Sequence, residues 1–304
     1  MRGIEKTLLL IGGSGFFGKS VLDSYARGLL APWHVARVIV VARQASRLRA
    51  WHPLLVGAGV ELIDADIATV GAMPHADYVI HAASSSDARA YAANPLAERA
   101  NILGAIENYC RIAARDHRDS RIVYTSSGAV YGQQPDTLSH IPEDFVAGDA
   151  AGLVAYKRDY AEAKRLSEDA LARLGARGLN VAVARCFAFV GAHLPRDQHF
   201  AIGNFLADGI AGRPVRVAAR KPVYRSYMHA DDLVRWLMTL AARATPACPV
   251  YNVGSDQAVS MGDLARAVAA RFGVAAEVPE VTDPGVDRYV PSIARARALG
   301  LTLE

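Results

Sequence analysis

The 304-residue sequence lacks the features that mark several large classes of protein. Its three cysteines, Cys110, Cys186 and Cys248, lie far apart, which is neither a metal-binding spacing nor a disulfide framework. No apolar run reaches the roughly 20 residues that a membrane-spanning helix needs, and the N-terminal apolar stretch is too short for a signal peptide. We therefore expect a soluble, cytoplasmic protein with reduced thiols, no metal and no membrane contact.

The sequence also lacks a run of basic residues interleaved with aromatic residues. Its formal net charge is +4, and the Lys and Arg residues are dispersed along the chain, so we expect no nucleic-acid partner. A few arginines close together would instead suit a small molecule that carries phosphate. Hydrophobic residues make up 52% of the chain and charged residues 21%, which is typical of a globular protein with a sizeable core.

The first half of the chain alternates short apolar runs with helical stretches. Buried β-branched runs separated by helices indicate parallel strands, and hence an α/β fold with a doubly wound, Rossmann-type parallel sheet. The predicted strands are residues 6–11, 36–42, 60–65, 77–83, 121–127 and 179–187. The predicted helices are residues 18–30, 88–114 and 154–174.

After about Phe187 the segments become shorter and prolines more frequent, which indicates a smaller C-terminal, substrate-binding lobe. Some late segments are expected to return to the main sheet. We assign residues 1–186 plus about 224–256 to the dinucleotide-binding domain, and residues 187–223 plus about 257–304 to the smaller lobe.

A glycine-rich turn follows the first predicted strand. In "IGGSGFFG", Gly12, Gly15 and Gly18 are spaced G-x-x-G-x-x-G, and a helix begins within the motif. Glycine allows a sharp turn and close approach to a pyrophosphate, and the free N–H groups of the helix N-terminus bind that anion. Because the strand-turn-helix context is present, we predict dinucleotide binding rather than a merely structural turn.

The end of the second predicted strand bears on which dinucleotide is bound. A carboxylate there would bind the adenosine ribose and reject a 2′-phosphate, but this strand ends in Ala42 and Arg43. An arginine can bind a 2′-phosphate, which favours NADP(H) over NAD(H); otherwise Arg43 is a solvated loop residue. Asp66, after the third strand, is placed to reach the adenine, or else acts as a loop carboxylate.

Tyr160 and Lys164 form a Y-x-x-x-K pair in a predicted helix, where residues i and i+4 share a face. A lysine one turn away stabilises a tyrosinate, so Tyr160 is a candidate proton donor and acceptor near neutral pH. The pair is common by itself. It becomes specific together with the N-terminal glycine turn and the Ser126-Ser127 pair at the end of the fifth strand.

These motifs resemble the extended short-chain dehydrogenase/reductases, the NAD-dependent epimerase/dehydratase family that modifies nucleotide sugars. The resemblance covers essentially the whole chain and includes "IGGSGFFG", "IHAAS", "NILGAIENYC", "TSSGAVYG", "YAEAK", "ARCFAFVGAHLP", "YRSYMHADDLVRWL" and "YNVGSDQAVS". It implies that Ser127 orients a sugar oxygen, that Tyr160 exchanges its proton, and that Lys164 holds the nicotinamide ribose. Ser126 would be a structural neighbour.

The resemblance also implies further contacts with the cofactor and the substrate. The implied cofactor contacts beyond those above are Phe16, Phe17, Ile67, Ala82, Ala83 and Asn101. The implied contacts with a nucleotide-diphosphate sugar are Ser84, Asn204, Arg225 and Arg288, with His199 more simply a packing residue of the same region. The family's Gly-Asp-Gly turn before the arginine is absent here, where residues 218–224 read "AARKPVY", so the nucleotide base stays unassigned.

The two residues after Ser127 narrow the type of reaction. Family dehydratases carry an Asp-Glu pair there, whereas this chain has Gly128 and Ala129, which cannot act as acid and base. The missing acid after the second strand favours a reductase of a 4-keto nucleotide sugar, supplying surface polysaccharide. The alternatives are a nucleotide-sugar 4-epimerase with tightly bound NAD, a reductase of a non-sugar carbonyl compound and a non-catalytic dinucleotide-binding sensor.

The resemblance further implies a homodimer. In the family, the helices that correspond to residues 88–114 and 154–174 pair across the subunit interface. Both stretches carry apolar residues on more than one face. The alternative is that these faces are buried against the sheet of the same chain.

Overall fold

The computed structural model describes residues 4–84, 88–146, 155–198 and 200–304. The strands are β1 Lys6–Ile11, β2 Val35–Ala42, β3 Val60–Asp64, β4 Tyr78–His81, β5 Arg121–Ser127, β6 Asn180–Cys186, β7 Phe189–Val190, β8 Val215–Arg216, β9 Val223–Arg225, β10 Met228–His229, β11 Val250–Val253, β12 Val259–Ser260, β13 Ala276–Glu277 and β14 Asp287–Tyr289. The helices are α1 Phe16–Ala26, α2 Leu48–Trp51, α3 Ala88–Ala93, α4 Pro95–Asp116, α5 Ala155–Ala176, α6 Ala201–Ile210, α7 Ala230–Ala242, α8 Met261–Phe272 and α9 Ala294–Ala298. Within these described ranges, no helix combines the length and the apolar character required to span a bilayer.

The central sheet has seven strands in the order β11-β6-β5-β4-β1-β2-β3, and every neighbouring pair is parallel. Side chains alternate between the two faces along each strand. In β1, Leu8 and Leu10 join a core with α1 and α7, whereas Leu9 and Ile11 join a core with α4 and α5. Burial on both faces explains the continuous apolar runs, and the predicted doubly wound α/β sheet is confirmed.

Two predicted strands, 6–11 and 121–127, have the observed bounds, and the other four agree to within a few residues. β11 adds a seventh strand beside β6 and comes from the part of the chain after Phe187, as expected. The predicted division into two domains stays a prediction. The chain after β14 packs Ile293, Ala296 and Leu301 into the core beside α7.

The stretch predicted as one helix over residues 88–114 forms two helices, so the prediction is wrong in its continuity. α3 ends at Ala93, and α4 begins at Pro95. Proline lacks an N–H and disfavours a helical conformation at the residue before it, so it suits the first position of a new helix. The side chain of Asn94 caps that helix by accepting a hydrogen bond from the Ala97 N–H at 3.1 Å.

The helix predicted over residues 154–174 is α5, and its first predicted residue, Val154, lies outside the described residues. α4 and α5 pack side by side against one face of the sheet, and an Arg99–Glu162 ion pair of 3.1 Å links them. Leu96 and Leu166 are nevertheless exposed on these helices. The homodimer stays a prediction.

A second, smaller core lies beside the main sheet. It joins residues of α6 and α8, among them Phe205 and Ala265, with Val215 of β8. Next to it, β9 pairs with β12 and with β14. These short strands carry Arg225 and Tyr289 to positions opposite each other in the pairing register, and the Tyr289 hydroxyl lies beside Gly128, directly after β5.

Candidate active site

Gly12 brings three of the predicted cofactor residues together. It follows β1 with φ +88°, and a Cβ at this position would lie 2.6 Å from the Ala83 nitrogen and 2.7 Å from the Ala82 carbonyl carbon. Only glycine fits, because the turn after β1 packs directly on the chain that leaves β4. The structure therefore places Gly12, Ala82 and Ala83 at one edge of the sheet.

The N-terminus of α1 is open to an anion. Gly15 is its N-cap and offers no side chain to the first N–H groups, which belong to Phe16 and Phe17 among others. The two phenylalanine rings pack into the protein cores, so contact with a cofactor would come from their backbone. A Cβ at Gly18 would lie 2.3 Å from the Gly13 Cα, which makes Gly18 a packing requirement.

Gly15 differs from its neighbours, because the protein itself does not require glycine there. A Cβ added to Gly15 would have the Gly12 carbonyl oxygen as its nearest neighbour, at an ordinary 3.6 Å, and the φ of −81° suits any residue. The protein therefore leaves open space beside Gly15, and a Cβ at this position would occupy it. The residues present fit a pyrophosphate at the helix N-terminus.

We expect Gly15→Ala to fold normally and to weaken dinucleotide binding at least about tenfold, because the methyl occupies the approach of the pyrophosphate. Calorimetric titration with NAD(H) and NADP(H) measures the effect. Gly57→Ala is the matched control, since a Cβ at Gly57 meets nothing within 4 Å. Unchanged affinity in Gly15→Ala would contradict the placement of the pyrophosphate.

At the adenosine end of the predicted cofactor site, Arg43 follows β2 and is exposed. A carboxylate that was not predicted from the sequence lies nearby. It belongs to Asp64, which ends the neighbouring strand β3 and pairs in register with Ala42. Asp64 accepts hydrogen bonds from the Ser46 hydroxyl and N–H, at 2.6 and 2.7 Å, which hold its pKa below the usual range. This carboxylate therefore fixes the loop after β2.

Asp66 and Ile67 begin the loop after β3. The Asp66 carboxylate is exposed and accepts a hydrogen bond from the Ala68 N–H at 2.9 Å, while the Ile67 side chain is buried. Asn108 of α4, which was not predicted either, donates to the carbonyl oxygens of Ile67 and Val70 at 2.7 and 2.9 Å. It fixes the loop on which the predicted adenine contact depends.

Asn101 of α4 is exposed, and its amide lies 3.5 Å from the Glu98 carboxylate. Its cofactor contact stays a prediction. Ser84 is the last described residue after β4.

Tyr160 and Lys164 lie on one face of α5, beside the carboxyl end of β5. The Lys164 side chain is almost fully buried, and its ammonium lies 5.8 Å from the centre of the Tyr160 ring. The ammonium donates to the Thr125 carbonyl oxygen at 2.9 Å and to the Tyr124 hydroxyl at 3.1 Å. Tyr124 is a further residue that was not predicted, and with Thr125 it ties Lys164 to the strand that ends in Ser127.

The two adjacent serines have different surroundings. Ser126 donates its hydroxyl to the Glu168 carboxylate, which also accepts from the Arg185 guanidinium at 2.7 Å. Ser127 lies at the other side of the strand end, where its Oγ accepts a hydrogen bond from the Ala129 N–H at 3.1 Å. Ser126 therefore belongs to a network of side chains, whereas the Ser127 Oγ binds the backbone that follows the strand.

The Arg185–Glu168 pair is largely buried, with side-chain exposures of 16% and 11%. Burial disfavours the charge on Arg185, but the Glu168 carboxylate more than offsets this and raises the pKa of the guanidinium. Glu168 follows Lys164 by one helical turn, as Lys164 follows Tyr160. The i, i+4 spacing of Glu168 and Lys164 is visible in the sequence, whereas the pairing of Glu168 with Arg185 of β6 is not.

Tyr289 of β14 completes this group and had no signal in the sequence. Its ring packs on Phe187 with centroids 4.6 Å apart. A Cβ at Gly128 would lie 2.6 Å from the Tyr289 hydroxyl oxygen and 2.8 Å from the Phe187 ring. A side chain at 128, acidic or otherwise, has no room in this packing.

On the predicted substrate side, Arg225 is already paired. Its guanidinium binds the two carboxylate oxygens of Asp287 at 3.0 Å each. Burial would raise the pKa of Asp287, but the charge and hydrogen bonds of Arg225 more than offset this and keep that pKa below its usual range. Arg288 stacks over the Tyr224 ring at 4.5 Å, and its buried Nε has no hydrogen-bond partner among the described residues. A diphosphate at Arg225 would have to share the guanidinium with Asp287.

Asn204 lies on α6 at a separate cavity of about 590 Å³. Its amide donates to the Gln198 carbonyl oxygen at 2.9 Å. The cavity is lined by Arg196, Asp197, Asn204, Ala207, Asp208 and Arg213. His199 lies outside the described residues. The substrate contacts predicted for Asn204, Arg225 and Arg288 stay predictions.

Residues 8–254 match the sequence profile of the NAD dependent epimerase/dehydratase family. Among curated proteins, the chain is 26% identical to UDP-glucuronic acid decarboxylase 5 of Arabidopsis thaliana, over 95% of this chain and 82% of that relative. It is 25% identical to UDP-glucuronic acid decarboxylase 1 of Xenopus tropicalis, over 97% of this chain and 68% of that protein.

Solved structures have the same fold. The UDP-N-acetylglucosamine 4-epimerase of Methanobrevibacter ruminantium superposes with a TM-score of 0.80 at 16% identity, over 99% of this chain and 93% of that chain. The UDP-glucose 4-epimerase of Thermus thermophilus, in complex with NAD, gives 0.78 at 22% identity, over 98% and 94%. The dTDP-glucose 4,6-dehydratase of Streptomyces venezuelae, with NAD bound, gives 0.78 at 19% identity, over 98% and 92%.

The fold and the glycine turn define a protein of the Rossmann-type α/β class. The chain belongs to the NAD dependent epimerase/dehydratase family, as the resemblance of its motifs indicated.

Proposed function

We propose that this protein is an enzyme that catalyses dinucleotide-dependent oxidation or reduction at a sugar carbon of a nucleotide sugar. The observation that carries this proposal is the buried Lys164 ammonium. It lies 5.8 Å from the centre of the Tyr160 ring and donates to the Thr125 carbonyl oxygen, two residues before Ser127. The curated relatives are named UDP-glucuronic acid decarboxylases, and two of the structural neighbours are named UDP-sugar 4-epimerases, which supports a UDP-sugar as the substrate class.

The bound dinucleotide would accept the hydride during oxidation of the sugar and donate it during reduction. Gly12, Gly15 and the N-terminus of α1 would hold its pyrophosphate. Tyr160 would give a proton to the sugar oxygen during reduction and take it back during oxidation. The Lys164 ammonium, held by Thr125 and Tyr124, would stabilise the tyrosinate, while the Ser127 hydroxyl would orient the sugar oxygen.

Elimination of water from the sugar is not part of this proposal. That step needs an acid and a base beside the sugar, and the two positions after Ser127 are Gly128 and Ala129. The packing of Tyr289 and Phe187 against Gly128 supports this view, since it leaves no space for a carboxylate there.

Within this class, we infer reduction of a 4-keto nucleotide sugar with NADPH. The exposed Arg43 after β2, where a ribose-binding acid would otherwise stand, supports the NADP(H) preference. A second candidate is a closed cycle, in which the same sugar is oxidised and then reduced with tightly held NAD. The curated relatives favour a decarboxylase of this kind, and the structural neighbours a 4-epimerase.

The cofactor separates these candidates. We expect protein purified without added nucleotide to be free of dinucleotide by mass spectrometry after denaturation, and to bind NADPH more tightly than NADH. With a 4-keto nucleotide sugar, NADPH should be consumed in proportion to the product. Stoichiometric bound NAD, with no net redox change on UDP-glucose or UDP-glucuronic acid, would instead establish the closed cycle, and release of carbon dioxide would identify a decarboxylase.

A third outcome is informative as well. Tight dinucleotide binding with no conversion of any of these nucleotide sugars would contradict the enzymatic proposal and support a dinucleotide-binding sensor.

A further inference from the structure

The Lys164 ammonium has three N–H groups, and two of them are bound by β5. An ammonium is only a donor, so each N–H needs an acceptor. One N–H is donated to the Thr125 carbonyl oxygen at 2.9 Å and another to the Tyr124 hydroxyl oxygen at 3.1 Å. The same strand end therefore supplies one acceptor from its backbone and one from a side chain.

The position of the Tyr124 hydroxyl is set by the sheet and not by Lys164. The Tyr124 side chain is 2% exposed and belongs to the core between the sheet and α4 and α5. His81 of β4 pairs with it in register, and the two rings pack edge to face with centroids 5.4 Å apart. The hydroxyl oxygen is therefore a fixed acceptor beside the ammonium.

The charge on Lys164 is held by neutral groups. Its side chain is almost fully buried, and no carboxylate of the described residues forms an ion pair with it, since Glu168, one turn further along α5, binds Arg185. Burial raises the pKa of the Tyr124 phenol, and burial together with the Lys164 charge lowers the pKa of His81 to about 3, so both rings are neutral at neutral pH. Tyr124 therefore orients the ammonium without compensating its charge.

We propose that Tyr124 is a positioning residue for the reaction. Its hydroxyl oxygen and the Thr125 carbonyl oxygen together fix the rotation of the Lys164 ammonium about the Cε–Nζ bond. Because the ammonium is tetrahedral, its third N–H then has a single direction, and this is the N–H available to the ribose of the bound dinucleotide. The inference rests on the proposed function for the role of Lys164, but the contact itself needs neither substrate nor cofactor.

The hydroxyl is the part of this arrangement that a substitution can remove, since the Thr125 acceptor belongs to the backbone. Tyr124→Phe keeps the ring and its packing on His81 but takes away the oxygen. The ammonium then rotates among several orientations, and only a fraction of the molecules presents an N–H to the dinucleotide. We expect dinucleotide affinity and kcat each to fall about tenfold, the size of one hydrogen bond to a charged group, with KM for the nucleotide sugar nearly unchanged.

A double-mutant cycle with Lys164→Met tests the proposal. Calorimetric titration with NADH or NADPH, whichever the wild type binds more tightly, gives the affinity of Tyr124→Phe, Lys164→Met and the double variant. In the Lys164→Met background there is no ammonium to orient, so Tyr124→Phe should change the affinity by less than about twofold. A tenfold loss that persists in that background would assign the effect to packing and overturn the proposal.

The matched control is Tyr109→Phe. Tyr109 is also fully buried and packs on the His81 ring, with centroids 4.9 Å apart, but its hydroxyl has no hydrogen-bond partner among the described residues. Its dinucleotide affinity and kcat should equal those of the wild type. Wild-type dinucleotide affinity in Tyr124→Phe, or an equal loss in Tyr109→Phe, would overturn the proposal.

A second measurement needs neither turnover nor a cofactor. The wild type and the three variants of the cycle are compared by urea denaturation without dinucleotide. Tyr124→Phe should destabilise the wild type more than the Lys164→Met protein, because only the former contains a buried ammonium that loses an acceptor. Strict additivity would overturn the contact. Coupling in both stability and dinucleotide affinity, with no conversion of any nucleotide sugar, would support the positioning of Lys164 and contradict the proposed function alone.

Discussion

Tyr160→Phe is expected to lower turnover of the nucleotide sugar by about 10²–10⁴-fold, because it removes the group that exchanges a proton with the sugar oxygen. Dinucleotide affinity should be nearly unchanged. The phenylalanine ring keeps the packing beside Lys164, and the ammonium keeps its hydrogen bonds to Thr125 and Tyr124. Steady-state kinetics and calorimetric titration of the dinucleotide measure the two effects separately.

The control for this variant is Tyr25→Phe. It also removes a tyrosine hydroxyl with a defined partner, since Tyr25 donates to the Ala36 carbonyl oxygen at 2.7 Å, but it lies on α1 away from the candidate active site. Its turnover should match that of the wild type. Turnover at the wild-type rate in Tyr160→Phe would remove Tyr160 from the mechanism.

Glu168→Ala is expected to lower the free energy of unfolding by about 3–5 kcal/mol, because it leaves the Arg185 guanidinium buried without its counter-charge. Ser126 loses its hydrogen-bond acceptor in the same variant. The loss is a large part of the total stability of an ordinary domain, which is about 5–15 kcal/mol. Urea denaturation monitored by circular dichroism measures the change.

Glu162→Ala provides the comparison on the same helix. Glu162 forms an ion pair with Arg99, but its side chain is 52% exposed, so the variant should cost less than about 1 kcal/mol. Combining Glu168→Ala with Arg185→Met should restore part of the lost stability, since the second change removes the unpaired charge. Equal losses in Glu168→Ala and Glu162→Ala would show that burial of the Arg185–Glu168 pair carries no special stability.

Lys164 and Glu168 together explain how the site is held in place. Tyr160, Lys164 and Glu168 follow one another at intervals of one helical turn on α5. Lys164 binds the end of β5, and Glu168 binds β6 through Arg185 and β5 through Ser126. The face of α5 that presents Tyr160 is thereby fixed against two strands of the sheet.

Much of the fold was predictable, because the relevant signals are local. An apolar run between polar turns indicates a buried strand wherever it occurs, and the strand over residues 121–127 was correct to the residue. The break at Asn94 and Pro95 was equally local, and the sequence contained its signal, an N-cap residue followed by proline. It was missed because the apolar periodicity continues across it.

The candidate site was predictable only in part. Gly12, Gly15, Tyr160 and Lys164 stand in recurrent spacings whose chemistry follows from a turn or a helix. Asn108, Asp64 and Tyr289 stand in no such pattern, and each contacts a partner distant in the chain. The Asp287 carboxylate on Arg225 is of the same kind.

The sequence by itself determined the class of fold, the dinucleotide turn and the Tyr160–Lys164 pair, since periodicity and spacing along one element specify which face a residue shares. Only the tertiary structure decided which groups the two serines contact, why residue 128 is glycine and which charges are compensated. The physical reason is that these properties depend on the packing of strands and helices far apart in the chain. Gly128 after β5 and Phe187 after β6 meet Tyr289 of β14 only when the central sheet and the β9–β14 pair are assembled.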